Sequence, residues 1–97
     1  MKPTADHIAE ANLADLVRRH GLSHLEVRRN GASLVLYTSV LDDRVSRARL
    51  TAISRTRWRL DMPLHTGRWQ PTPYEGSMVA IFALLTGDLA PLIAPIE

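Results

Sequence analysis

Residues 25–37, with the sequence LEVRRNGASLVLY, place an Asn-Gly pair between two segments in which apolar and polar side chains alternate. Both central residues of a type I′ turn need a positive φ angle, which asparagine and glycine tolerate better than other residues. The pair Asn30-Gly31 therefore predicts a two-residue turn that joins two antiparallel strands into a hairpin. In this register Arg29 faces Ala32, Val27 faces Leu34 and Leu25 faces Leu36.

The alternation gives this hairpin one apolar face and one polar face, because side chains two residues apart lie on the same side of a strand. The apolar face is expected to continue along the second strand through Thr38 and Val40. The polar face carries Arg28 and Tyr37 among its members. The apolar set is Leu25, Val27, Leu34 and Leu36.

A longer alternating segment, residues 47–62, follows a turn at Asp42-Asp43-Arg44. Its even positions are mostly apolar and its odd positions are rich in arginine, so we expect an apolar face and an arginine stripe on the opposite face. The segment is far longer than the usual strand of about five or six residues, which predicts a break near residues 54–56. The stripe consists of Arg47, Arg49, Arg55, Arg57 and Arg59.

Helices are expected at both ends of the chain. Thr4 or Asp6 can cap an N-terminal helix that stops at Gly21, and Ser77 can cap a second helix over residues 77–86. A short strand at residues 68–70 is expected to end at Pro71, since proline cannot donate to a ladder. The fold class is therefore α+β. Residues 1–97 form one domain with an N-terminal helix, a three- to four-stranded antiparallel β-meander and a C-terminal helix packed on the sheet.

Composition excludes several kinds of chemistry. The 97 residues are 45% apolar and 23% charged, as in ordinary globular domains. The absence of cysteine excludes disulfides, thiolate zinc sites, iron–sulfur clusters and cysteine nucleophiles. Since no positively charged start leads into an apolar run, we expect a cytoplasmic protein without a secretory signal.

Charge is unevenly distributed along the chain. The formal net charge is +2, yet residues 44–68 hold seven arginines against the single acid Asp61. Such segregation suggests an anionic partner for the middle of the chain. Alternate residues of a strand are roughly 6–7 Å apart, close to the phosphate repeat of an extended nucleic-acid strand. We therefore expect nucleic acid to bind at Arg47, Arg49, Arg55, Arg57, Arg59, Arg68 and Tyr37.

Two alternatives stay open for the arginines: they serve only to keep an exposed sheet face soluble, or they meet an acidic protein surface. A third class of function, a small enzyme, would place its site around His65, Asp61 and Arg68. No nucleophile turn and no cluster of metal ligands supports that reading, so we expect no catalytic residue, no metal and no cofactor.

The apolar C-terminal region predicts association. Two helices and one small sheet cannot easily cover all of its apolar side chains, and such surplus usually marks an interface. A twofold homodimer is therefore expected, with the alternative that the helix fills the apolar face of the sheet. A membrane span is excluded because Asp88 would lie at mid-bilayer. The expected dimer residues are Val79, Leu84, Leu89, Leu92, Ile93 and Ile96.

Overall fold

The computed structural model describes residues 4–96 and has the α+β architecture, with one helix before and one helix after the strands of an antiparallel sheet. The sheet has five strands in sequential order, one more than the largest number predicted. A short 3-10 turn over Ala90–Ile93 follows the second helix. The elements are α1 (His7–Arg19), β1 (Glu26–Asn30), β2 (Ser33–Val40), β3 (Asp43–Ala52), β4 (Trp58–Pro63), β5 (Trp69–Gly76) and α2 (Met78–Thr86).

The strand count differs from the prediction because of one turn and two prolines. The expected break in the long alternating segment is confirmed as a tight turn at residues 53–57, which makes β3 and β4 two antiparallel strands. β5 does not end at Pro71 but continues through Pro73 to Gly76. Proline is tolerated there because β5 is an edge strand, where a missing N–H on the outer side breaks no ladder.

The first hairpin forms as expected, but its turn lies one residue further along. Asn30 pairs with Ser33, so the loop is Gly31-Ala32 rather than Asn30-Gly31. Of the two loop residues, Gly31 alone has a positive φ, +61°, as in a type II′ turn with glycine at the first central position. Val27 thereby pairs with Leu36 instead of Leu34, a move of two residues that keeps each side chain on its predicted face.

Both helices cover the apolar face of the sheet. Asp6 caps α1 by accepting a hydrogen bond from the Ala9 N–H, and Ser77 caps α2 through the Ala80 N–H. The helices then bury their apolar sides on the strands, with Phe82 2% exposed. Trp58 is buried with them, as its even position predicts. The buried core consists of Ala5, Leu13, Val17, Leu25, Leu34, Leu36, Ala48, Leu50, Ala52, Trp58, Leu60, Ile81, Phe82, Leu85 and Ile93.

A β-bulge interrupts the alternation of β3. Leu36 pairs with Ala48 but Tyr37 pairs with Ser46, which leaves Arg47 as an extra residue without a partner in β2. An extra residue reverses the alternation locally, so the Arg47 side chain turns to the helix side of the sheet. There its guanidinium donates to the Thr38 hydroxyl over 3.1 Å.

The chain after α2 lies across the apolar side of the sheet and is held by polar contacts. Arg47 Nη2 donates to the Ala94 carbonyl over 2.6 Å, and His24 Nε2 lies 2.6 Å from the Ile93 carbonyl. Ile93 itself is 3% exposed. Among the helices in the described part of the chain, none has the length and apolar character that crossing a membrane requires.

Candidate anion-binding face of the sheet

The face of the sheet opposite the helices, hereafter the open face, carries most of the charged side chains of the strands. Strand pairing places three rows of side chains across it. The middle row is Arg28, Val35, Arg49, Asp61 and Pro71. One flanking row is Asn30, Ser33, Thr51, Arg59 and Glu75. The other row is in two parts, because β3 and β4 do not pair there: Glu26, Tyr37 and Ser46 on β1 to β3, and Pro63 and Trp69 on β4 and β5.

The carboxylate of Asp61 is at the centre of the open face and is 0% exposed. Its Oδ2 lies 2.8 Å from Arg49 Nε and its Oδ1 lies 2.7 Å from Arg59 Nε. The Thr51 hydroxyl donates to Oδ2 over 2.6 Å. Both oxygens are therefore hydrogen-bonded by charged or hydroxyl donors, as a buried carboxylate requires. Two cations around one anion leave a net charge of +1 on this cluster.

These contacts keep Asp61 ionised. Burial alone would raise the pKa of the Asp61 carboxyl, but the hydrogen bonds from Arg59, Thr51 and Arg49 outweigh it, and the pKa is lowered. The hydrogen bond to Asp61 also raises the pKa of the Arg59 guanidinium. The two guanidiniums are thus fixed cations, held in place by a buried anion.

Two aromatic rings on the open face stack against arginines. The Cζ atom of Arg49 lies 4.9 Å from the centre of the Trp69 ring, and that of Arg44 lies 5.2 Å from the centre of the Tyr37 ring. Both distances fit cation–π contacts, which fall within about 6 Å. Arg49 is therefore held by two contacts, with the Asp61 carboxylate at its Nε and with the indole ring of Trp69.

Three of the predicted stripe arginines share the open face. Arg49 and Arg59 meet at Asp61, and Arg57 lies at the same side, where its Nε is 3.2 Å from the exposed carboxylate of Glu75. Tyr37 is on this face as predicted. The positive charge of these arginines is thus partly offset by two acids of the face itself.

The other predicted arginines lie elsewhere. The bulge turns Arg47 to the helix side, and burial there lowers the pKa of its guanidinium. Arg55 belongs to the turn at residues 53–57 and lines a groove between α1 and the start of α2. Arg68 lies in the exposed loop between β4 and β5, at one end of the open face. The predicted stripe is therefore not continuous, because a bulge and a turn each break the alternation.

Sequence reasoning left Arg28 and Arg44 out of the site. Both are exposed on the open face, and within residues 4–96 neither forms a salt bridge. The alternation of the hairpin predicts Arg28 on the same face as Tyr37, and this pattern identifies it as a candidate. Arg44 was assigned to a turn, whereas β3 begins one residue earlier, at Asp43.

The residues expected in a dimer interface differ in their exposure. Ile93 belongs to the core, and Leu84, Leu89 and Leu92 are partly buried against it. Val79 and Ile96 stay 64% and 44% exposed. The homodimer remains a prediction, with only these two of its residues prominent on the surface.

Of the three residues considered for an enzymatic site, His65 and Arg68 line the same cleft, and Asp61 does not. Asp61 is enclosed by arginines and threonine, whereas His65 and Arg68 are exposed in the β4–β5 loop. A search of the described residues finds no group of three side chains able to hold a metal ion.

Comparison of the chain with protein-family models, with curated proteins and with solved structures finds no match. Evidence for a function comes instead from the open face, where buried charge, aromatic rings and exposed arginines lie together. Guanidinium groups suit planar anions such as phosphate and carboxylate.

We expect Asp61→Asn to destabilise the fold by about 3 kcal/mol, because removing one member of a buried ion cluster leaves the remaining charges unpaired. Denaturant unfolding followed by circular dichroism measures this loss. Glu75→Gln is the matched control: it removes a carboxylate from the exposed pair with Arg57, and should cost less than about 1 kcal/mol. Equal losses in the two variants would contradict the central role of Asp61.

The lowered pKa of Asp61 predicts part of the acid sensitivity of the fold. Its folded-state pKa lies below the ordinary value of 3.8, so the stabilisation is fully present above that pH. The stabilisation is lost as pH falls below 3.8 through the lowered pKa. Unfolding free energies measured from pH 6 to 2 should therefore fall more steeply for the native chain than for Asp61→Asn. Parallel curves would show that Asp61 does not titrate differently in the two states.

Proposed function

We propose that this protein is a small, non-enzymatic binding module whose open face binds an anionic partner, with nucleic acid as the first candidate. The observation that carries the proposal is the pair of guanidiniums of Arg49 and Arg59, fixed around the buried carboxylate of Asp61. Arginines that are already ordered lose less side-chain entropy on binding than mobile ones do. Their geometry suits the bidentate recognition of phosphate.

The fixed arginines retain donors for a ligand. A guanidinium has five N–H donors. Within the described chain the hydrogen bonds of Arg49 use only its Nε–H, and those of Arg59 use Nε and Nη2. The other N–H groups of the two guanidiniums are the donors that an anionic ligand would use. Asp61 thereby holds the two side chains without using up all of their donors.

The placement of the other arginines extends this positive region across the strands. Arg28 on β1 and Arg49 on β3 lie two strands apart, about 10 Å at the usual strand spacing. Arg44 stands over Tyr37 toward one end of β3, and Arg57 lies toward the opposite end of the sheet. A phosphate backbone running over the open face therefore meets guanidiniums along its path.

Aromatic rings favour nucleic acid over an acidic protein surface. Tyr37 and Trp69 are partly exposed on the same face as the arginines, and rings of this kind stack on bases in proteins that bind single strands. An acidic protein would need only the charges. Combined rings and guanidiniums match a ligand that carries both aromatic planes and phosphates.

The proposal is tested by fluorescence anisotropy with labelled single-stranded DNA, duplex DNA and RNA at two salt concentrations. Arg28→Glu with Arg57→Glu reverses two open-face charges that do not contact Asp61, so the cluster stays intact. We expect this double variant to bind at least about tenfold more weakly than the native chain and to show a smaller salt dependence, because phosphate contacts are lost.

Arg18→Glu with Arg19→Glu is the matched control, because it changes the net charge equally on α1, where both arginines pair with Asp15. Its affinity should stay well above that of the open-face variant. Equal weakening by the two double variants would refute the open face as the contact surface. If the native chain fails to bind at low salt, nucleic acid is excluded. The remaining candidate partners are then an acidic protein and a second copy of this chain that contacts Val79 and Ile96.

A further inference from the structure

A cleft lies at the end of the open face where β3 and β4 separate. The ladder between these strands ends at the pair Arg49–Asp61, although β3 begins as early as Asp43 and β4 continues to Pro63. The gap between the start of β3 and the β4–β5 loop encloses about 410 Å³. Pockets for small ligands commonly measure about 300–1,000 Å³, so this space can admit one.

The lining of the cleft is basic and contains no carboxylate. Arg44 from β3 and Arg68 from the loop lie on it, with the imidazole of His65, Ser46 and the ring of Trp69. Within residues 4–96 neither arginine forms a salt bridge, in contrast to Arg49 and Arg59 beside them. The cleft therefore combines two guanidiniums that form no salt bridge within residues 4–96 with other hydrogen-bonding side chains and one aromatic wall.

The loop that carries Arg68 is an ordered turn. The Leu64 N–H donates to the Arg68 carbonyl over 2.8 Å, and the Gly67 N–H donates to the Leu64 carbonyl over 3.0 Å. Gly67 has a φ of +85°, which side chains other than glycine rarely adopt. This closed turn holds the backbone of Arg68, which lines the cleft.

We propose that this cleft binds a phosphate monoester, either the terminal phosphate of a nucleic-acid strand or the phosphate of a free nucleotide. A phosphate monoester carries a charge of about −1.5 to −2 at neutral pH, which two guanidiniums can match, whereas an internal diester carries one negative charge. The Trp69 ring offers a surface for the attached base. The inference that a nucleic-acid end binds here rests on the proposed function, because the rest of that nucleic acid would continue over the open face.

Two sets of ligands distinguish the sources of the phosphate. The first is one single-stranded oligonucleotide prepared with a 5′-phosphate, with a 3′-phosphate or with hydroxyl ends, measured by anisotropy competition. The second is a nucleoside monophosphate against the matching nucleoside, measured by isothermal titration calorimetry. We expect one phosphorylated end to improve binding by about tenfold, the effect of one charge-assisted contact.

Arg68→Gln and Arg44→Gln should each abolish this preference for a phosphorylated end. Arg68 is exposed in its loop and Arg44 is exposed on β3, so both variants should remain folded. Arg28→Gln is the matched control: it removes a guanidinium of the open face outside the cleft, and should weaken all three oligonucleotides while leaving their ratio unchanged. A ratio that persists in Arg68→Gln and in Arg44→Gln would overturn the inference.

The remaining outcomes separate the two proposals. Equal binding of phosphorylated and hydroxyl-ended strands, with no binding of the nucleoside monophosphate, overturns the cleft and leaves the proposed function standing. Binding of the monophosphate that depends on Arg68, with no strand binding at all, supports the cleft as a free-nucleotide site. That result would refute the nucleic-acid function of the open face.

Discussion

The buried carboxylate of Asp61 is the constraint on which the open face depends. An ionised group with no exposure must be neutralised and hydrogen-bonded by its neighbours, and here Arg49, Arg59 and Thr51 do this. The requirement fixes two arginine side chains on a face that no described helix covers, and one of them lies over the ring of Trp69. A surface that would otherwise carry mobile cations thus has an ordered positive centre.

The extra residue of the β-bulge, Arg47, affects the structure around the Asp61 cluster. The bulge at Arg47 turns a guanidinium toward the helices, where it holds the Ala94 carbonyl, and so ties the end of the chain to the sheet. The same bulge places Ser46, a small side chain, opposite Tyr37. The bulge lies on the side of the pair Arg49–Asp61 where β3 and β4 no longer pair, and the basic cleft is on that side. Arg47 therefore holds the segment after α2, while Arg44 and Ser46 line the cleft.

Local patterns in the sequence predict the parts of the fold whose partners are near in the chain. The caps Asp6 and Ser77 each bond an N–H three residues ahead, and the faces of the first hairpin follow from strict alternation. The bulge at Arg47 has no local pattern in the sequence, because a bulge is defined by how β3 pairs with β2. The burial of Asp61 depends on contacts with Arg49 and Thr51 of another strand, so a sequence read alone suggests an isolated acid among arginines.

The most direct test of this account is the hydrogen exchange of arginine side chains, measured by NMR on the Nε–H groups of the native chain and of Asp61→Asn. The account predicts slow exchange for two arginines, Arg49 and Arg59, fast exchange for the exposed Arg28, and loss of the slow signals in the variant. Exchange of Arg49 and Arg59 as fast as that of Arg28 in the native chain would contradict a fixed cluster at the centre of the open face.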